Sequence, residues 1–475
     1  MARFPLPALP SRLLDLEVAD VPRRGAPTAV LVPAAPEPVE IAGIRHPGKT
    51  GEVREAAGPV RWVVGIGDGA PKDWRAAGAA LVRAIEEDPV RTAQVELGGE
   101  VRGEDVAEFA TGALLGGYRF KVSAEGAKPG LQTLRLLTPY ERAIPEYEEL
   151  LGRVRGLAEA ATLARDLANT PSNIKNPAWL ADTAERVAGG QPGLQATIRD
   201  ERWLADQGFG GVLAVGGGSV SPPRLIELTY RPRGSSRHLL LVGKGITFDT
   251  GGLSIKPAAG MHLMRTDMAG GAAVIAATRA IAAARLPVRV TALVPAAENH
   301  VSGSSYRPGD VVRHYGGITT EVSNTDAEGR MVLADALVYG IRRFRPDAVV
   351  DVATLTGAMK VALGTRTGGL FATDDDLAQR LLAAGERVGE AWWRMPLLEA
   401  HADAVRGELA DVRQAPGGPG AVTAALFLRE FVDGMPWAHL DIAGPARAES
   451  TYADVVPGAT GFAARTLVEL AASYA

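Results

Sequence analysis

Leu239-Leu-Leu-Val242-Gly-Lys244-Gly-Ile-Thr-Phe-Asp249-Thr-Gly-Gly-Leu-Ser-Ile-Lys256-Pro257 opens with four apolar residues and runs into a glycine-studded stretch carrying two lysines and an aspartate. The apolar run has the length of a buried strand, and helical apolar spacing follows it over Met268–Ala284. Val288–Val294, Ala348–Val352 and Trp437–Ile442 read as further strands. Glu328–Phe344, Asp376–Val388, Ala421–Asp433 and Gly461–Ala472 read as helices. This alternation predicts an α/β fold with a mainly parallel central sheet flanked by helices. Ligands of such sheets sit beyond the carboxyl ends of the strands. Lys244, Asp249 and the loop before Met268 all lie just past the end of the first strand.

Upstream, residues 1–144 read as a smaller α/β domain. Val60–Val64, Thr92–Leu97 and Leu131–Leu137 are strand candidates; Asp73–Glu87 and Glu104–Leu115 have helical spacing. Gly65-Ile-Gly-Asp-Gly-Ala70 lacks the third glycine of a dinucleotide fingerprint and meets Pro71 at once, so it reads as a tight strand-to-helix turn. Residues 145–168 form a charged connecting helix, with Pro145 in its first turn and Asn169-Thr-Pro171 as its stop. Trp179–Val187 is another helix, and residues 169–475 make up the larger domain.

At 475 residues the chain calls for two or three domains, and 46% hydrophobic with 22% charged residues is a globular composition. A formal charge of −4 supplies no basic field for nucleic acid or anionic lipid. With no cysteine, thiol nucleophiles, disulfides and cysteine zinc sites are excluded. The first ten residues make a poor signal peptide, because prolines interrupt the apolar run. Arg279 and Arg285 break the one Ala-rich stretch that could suggest a membrane span. A cytoplasmic protein without a membrane segment is expected.

Eight of the 51 basic residues are lysine, yet two of those eight, Lys244 and Lys256, stand in the opening stretch. Arginine cannot replace a cation that must shed its proton, whereas a buried lysine titrates readily. Asp249, Asp267 and the pair Asp326 and Glu328 of Asn324-Thr-Asp-Ala-Glu-Gly-Arg330 would gather at one sheet edge. Taken singly, Thr325-x-x-Glu328 reads as a capping box and Thr266-Asp267 as a helix start. Taken together, four carboxylates need cations, and oxygen ligands suit Mg²⁺, Mn²⁺ or Zn²⁺. Two such ions can share a water that ionises near neutral pH. No GxSxG elbow, GxxxxGK[ST] loop or HExxH pair offers another chemistry. The seven histidines read as structural, His262 being nearest the motif.

The heptapeptide Asn324–Arg330 resembles the signature of the leucyl aminopeptidase family, the two-metal cytosol aminopeptidases. The likeness continues through Val242–Pro257, Met268–Ala273, Asn169–Asn173, Ala353–Gly357, Leu440–Pro445, Gly458–Phe462 and Arg465–Leu467. The resemblance implies a metal-dependent exopeptidase that removes leucine-like N-terminal residues by attack of a metal-bridging hydroxide. It implies two divalent ions per subunit, zinc or manganese, with magnesium and cobalt as other occupants. Asp249 and Glu328 are expected to be shared by both ions, with Lys244 and Asp267 completing one site and Asp326 the other. Lys256 would polarise the scissile carbonyl, and Arg330 would hold bicarbonate as general base. Met264, Thr354, Gly357 and Ala459 are expected near the first-residue pocket. Peptides with a free N-terminus are the implied substrates and a homohexamer the implied assembly. Met331, Thr250, His262, Arg265 and Thr266 depart from the commoner pattern without removing a ligand. The alternative is a DNA-binding or regulatory protein on the same scaffold, against which the net charge counts.

Overall fold

The computed structural model describes residues 6–86, 88–99, 101–123 and 130–475. Glu87, the expected end of one helix, and Met1–Pro5 lie outside the described residues. The chain forms two compact units. One takes residues up to Thr162 together with Ala448–Pro457; the other comprises Leu163–Arg447 and Gly458–Ala475.

The first unit is built on a six-stranded sheet in the order Asp15–Ala19, Thr133–Leu137, Thr92–Glu96, Thr28–Val32, Val60–Gly65, Val53–Glu55. Its strands run parallel except Val53–Glu55, which is antiparallel to its neighbour. Helices Pro71–Ile85 and Gly103–Gly116 contribute Leu81, Ile85, Phe109 and Leu115 to its apolar core. The glycine-rich link before Pro71 is the tight turn expected of it, with Gly67 at φ +57° and Gly69 at φ +77°.

The second unit carries a nine-stranded sheet. Its main path runs Ala391–Arg394, Thr367–Ala372, Trp437–Asp441, Ala348–Ala353, His238–Gly243, Arg289–Asn299, Arg224–Tyr230, Leu194–Arg199. The four middle strands, Trp437–Asp441 through Arg289–Asn299, are mutually parallel. Strands antiparallel to them flank the set on both sides. His238–Gly243 and Ala348–Ala353 are buried at every position, as expected of parallel strands covered on both faces. Leu240 and Val242 join a core with Leu333, Leu337, Phe427 and Phe431. The helix Ala269–Ala283 packs against the same strand, with Ala464–Ala472 alongside that helix.

Two helices have an end that differs by three residues or more from the one read in the sequence. The last helix begins at Ala464 rather than Gly461, because Gly461 at φ +72° and Ala463 at φ +77° hold the chain out of the helical region. The helix read as Ala421–Asp433 runs Gly420–Arg429. Beyond it the chain turns, and Asp433 is left-handed at φ +50°. Among the described residues, no helix is long and apolar enough to cross a membrane.

Candidate metal centre

Lys244 follows directly on the end of the His238–Gly243 strand. A short strand, Gly245–Asp249, then pairs with the extended end of Arg289–Asn299 and sets Asp249 opposite Asn299. Asp267 caps the C-terminal end of the 3-10 turn Met261–Thr266, and Glu328 is the first residue of the helix Glu328–Phe344. The helix Ala269–Ala283 rides close on the sheet: a Cβ added to Gly270 would stand 2.0 Å from the Val352 carbonyl oxygen. That close approach brings Asp267 beside the next strand end, where Thr354 Oγ1 donates to Asp267 Oδ1 at 2.7 Å.

The acids gather as the sequence suggested. Asp249, Asp326 and Glu328 each place an oxygen within 4.8 Å of the others. Lys244 Nζ lies 2.8 Å from Glu328 Oε1 and 2.9 Å from Asp267 Oδ2, and it donates to the Thr354 carbonyl at 3.1 Å. Lys256 Nζ lies 2.8 Å from Asp249 Oδ2 and also pairs with Asp326. Asp249 Oδ1 accepts from Gly251 N and Asn299 Nδ2, each at 2.8 Å.

Electrostatically the cluster is short of positive charge. Burial pushes Glu328 up to about 8, with Asp249 adding to the shift against Lys244. Burial likewise raises Asp267 to about 6, opposed by Lys244 and assisted by Asp249. Asp326 is raised by burial despite the hydrogen bond from Lys256. Burial alone would lower the Lys244 ammonium, as the sequence reasoning supposed, but Asp267, Glu328 and Asp249 outweigh it and raise it. Lys256 is raised in the same way, chiefly by Asp249 against its burial. The surrounding carboxylates thus outweigh burial at both lysines.

The donor set fits divalent metals. Among the described residues, Glu328 Oε2 is buried with no hydrogen-bond partner, and Glu328 Oε1, Asp267 Oδ2 and Asp326 Oδ1 are buried with a lysine ammonium as their one partner. Two ammoniums serve four carboxylates, and a buried carboxylate without full compensation costs several kcal/mol. Oxygen ligands of this kind suit hard or borderline dications. No histidine belongs to the cluster among the described residues. His314 and His439 instead bond buried Asp335 and Asp351 at 2.9 and 2.6 Å.

Neither threonine caps its helix as expected. The N-cap of Glu328–Phe344 is Ala327. Thr325 Oγ1 instead donates to the Gly251 carbonyl at 2.6 Å and accepts from Ser254 N at 2.8 Å, stapling the two acid-bearing loops together. Thr266 Oγ1 donates to the Leu263 carbonyl at 2.7 Å, within its own turn. Reading by spacing also missed two amides. Asn299 bridges Asp249 to the Thr325 carbonyl, the latter at 3.0 Å, and Gln414 lies behind the heptapeptide.

Arg330 is buried, and its Nη1 donates to the Gln414 carbonyl at 2.6 Å. Its Nε closes no hydrogen bond, and burial lowers the guanidinium to about 10. Of the expected pocket residues, Thr354 stands against Asp267 and Lys244, and Met264 is half-buried in the turn before Asp267. Gly357 is exposed at the start of the helix Gly357–Leu363, and Ala459 is buried with its N–H donated to Asn169 Oδ1 at 3.0 Å.

Residues 162–468 match the model of the cytosol aminopeptidase family, catalytic domain. The chain belongs to the cytosol aminopeptidase family. Residues 46–123 match that family's N-terminal domain. A probable cytosol aminopeptidase of Roseiflexus castenholzii is 48% identical over 370 residues, 76% of this chain and 75% of that one. One of Leifsonia xyli subsp. xyli is 43% identical over 445 residues, 91% of this chain and 87% of that one. Among solved structures, the bottromycin maturation enzyme BotP in complex with Mn superposes with a TM-score of 0.84 at 42% identity, covering 94% of this chain and 98% of that one. As a family member the chain is a metal-dependent exopeptidase, a hydrolase. Nothing among these findings supports the DNA-binding reading.

Proposed function

We propose that this aminopeptidase removes leucine-like N-terminal residues from peptides with a free amino terminus, using two divalent metals per subunit, zinc or manganese. The observation that carries the reading is the buried Glu328 carboxylate, which meets the Lys244 ammonium on Oε1 and has no partner on Oε2 among the described residues, gathered with Asp249 and Asp326 within 4.8 Å. Asp249 and Glu328 would be shared between the two ions, Lys244 and Asp267 would complete one site, and Asp326 the other. Bound there, the metals would supply Lewis acidity and ionise water near neutral pH.

The chain's own groups do the rest. Lys256, held over Asp249 and Asp326, brings an ammonium to the developing oxyanion of the scissile carbonyl. Arg330 keeps its Nε donor unspent in a buried place, which suits a small anion; bicarbonate there would serve as general base. Met264, Thr354, Gly357 and Ala459 are the proposed neighbours of the first side chain. Residues 169–475 would form the catalytic domain, 145–168 the connecting helix and 1–144 the N-terminal domain. Relatives named for the cytosol support action in the cytoplasm, and a homohexamer is the proposed assembly.

Release of leucine from leucyl amide tests the reading. Chelation is expected to abolish it, and Mn²⁺ or Zn²⁺ to restore it. Full turnover in excess chelator would refute it.

A further inference from the structure

Gln414 is fully buried just past the two-residue strand Val412–Arg413, which pairs with Thr319–Glu321. Its side-chain amide spans the loop that presents Asp326. Oε1 accepts from Ser323 N at 3.2 Å and Asn324 N at 3.1 Å, and Nε2 donates to the Ala327 carbonyl at 3.0 Å. The three contacts bracket Asp326, touching the loop before it and after it. The main-chain carbonyl of the same residue accepts from Arg330 Nη1 at 2.6 Å. One residue thus sets the spacing between the acid loop and the buried guanidinium.

The helix that Glu328 begins gives this loop no help of its own, because Ala327 caps it without a side-chain hydrogen bond. Thr325 ties the loop to Gly251 and Ser254, and Asn324 Oδ1 accepts from Asp326 N at 2.9 Å within the loop. The face toward residues 414–415 is held by Gln414 and by Ser323 Oγ on the Ala415 backbone at 3.2 Å. A carboxamide both accepts two N–H groups and donates to a carbonyl in this way at every pH. A carboxylate of the same length would set a negative oxygen against the Ala327 carbonyl, a methionine would form none of the three bonds, and an asparagine falls short by a methylene.

We propose that Gln414 is a positioning residue of the metal centre, holding Asp326 and Glu328 in ligating register with Arg330 through the backbone of the acid loop. This rests on the two-metal reading above. The parent enzyme's own Mn²⁺ stoichiometry tests that reading, whereas variant-to-parent ratios test the role of Gln414.

The experiment compares Gln414→Met and Gln414→Glu with the parent in Mn²⁺ equilibrium dialysis and in kcat and KM for leucyl amide. Removing a supporting partner of this kind typically weakens metal binding or rate by about 10–100-fold. Gln414→Met is expected to lose that much Mn²⁺ affinity and kcat, with KM changed by less than about threefold. Should Gln414→Met fail to fold, Gln414→Glu decides. It keeps both accepted bonds, and its carboxyl regains the donor when protonated. Its affinity ratio to the parent is therefore expected to recover as pH falls, which loss of packing alone would not produce. Folded variants with parental Mn²⁺ affinity and kcat, or a Gln414→Glu ratio flat with pH, would overturn the proposal.

Discussion

Asn299 Nδ2 donates to Asp249 Oδ1 at 2.8 Å, and the same amide nitrogen reaches the Thr325 carbonyl at 3.0 Å. One side chain thus orients the acid of the first loop and fastens the second loop to it. Asn299→Leu would leave that Asp249 oxygen with Gly251 N alone. Such a loss is expected to cost about 10–100-fold in metal affinity or kcat. Metal titration and steady-state kinetics check it, and parental values for both would show that the amide is dispensable.

Lys256 sits at the open edge of the cluster, whereas Lys244 is enclosed within it. Lys256→Ala is therefore expected to retain both metals while kcat falls by about 10²–10³, the loss seen when one oxyanion donor is removed. Elemental analysis beside kinetics separates the two effects. Metal loss in Lys256→Ala would instead make this lysine a structural counterion.

Raised carboxyls make metal uptake a proton-releasing event. Burial raises Glu328 and Asp267, so both give up their protons at higher pH than free carboxyls do, and Lys244 is raised as well. Ligands must be deprotonated to bind. Mn²⁺ affinity should therefore fall as pH drops from 8 to 6. Binding heats should differ among buffers of different ionisation enthalpy, and equal heats in all buffers would contradict this.

His238 gives a separate pH signature far from the acid cluster. Burial, with Arg289 adding to it, lowers this imidazole to about 4, and its Nε2 lies 2.9 Å from Thr291 Oγ1. The unfolded chain takes up the proton near 6.5 and the folded one only near 4. The stabilisation is thus complete above about 6.5 and is lost as pH falls toward 4. Denaturant unfolding at pH 7 and pH 5 should show this loss in the parent and a smaller one in His238→Gln. Equal losses in the two proteins would remove His238 from the account.

Gly270 reports on the seat of the acid loops. Its missing Cβ would lie 2.0 Å from the Val352 carbonyl oxygen, so Gly270→Ala must lift the helix Ala269–Ala283 off the sheet. Overpacking against backbone is expected to cost about 3 kcal/mol or more. Thermal melts check this; an unchanged Tm would mean that the helix shifts freely.

The parallel centre of the sheet was legible because strands buried on both faces leave unbroken apolar runs, as at Leu239–Val242. The antiparallel flanks, Leu194–Arg199 and Arg224–Tyr230, were not read as strands. Exposed Gln195 and Thr197 break the apolar run in the first, and the buried but charged Glu227 breaks it in the second. Thr367–Ala372 and Ala391–Arg394 escaped for a similar reason, with glycines at 368 and 369 and an exposed Trp393. The acids and lysines were legible because four carboxylates near two lysines are chemically costly unless they act together. Asn299 and Gln414 were not, since a lone amide has no spacing to betray it and its partners lie tens of residues away. Thr325 was misread because local capping competes with a distant staple, and sequence spacing shows only the former.

Counting the metal tests the central claim most directly. After dialysis against Mn²⁺ and removal of free ion, elemental analysis of the parent should give two Mn²⁺ per chain, and Glu328→Ala should give none, together with loss of nearly all turnover. A parent that hydrolyses leucyl amide with no bound metal, or a Glu328→Ala protein that keeps both ions, would contradict the dinuclear centre.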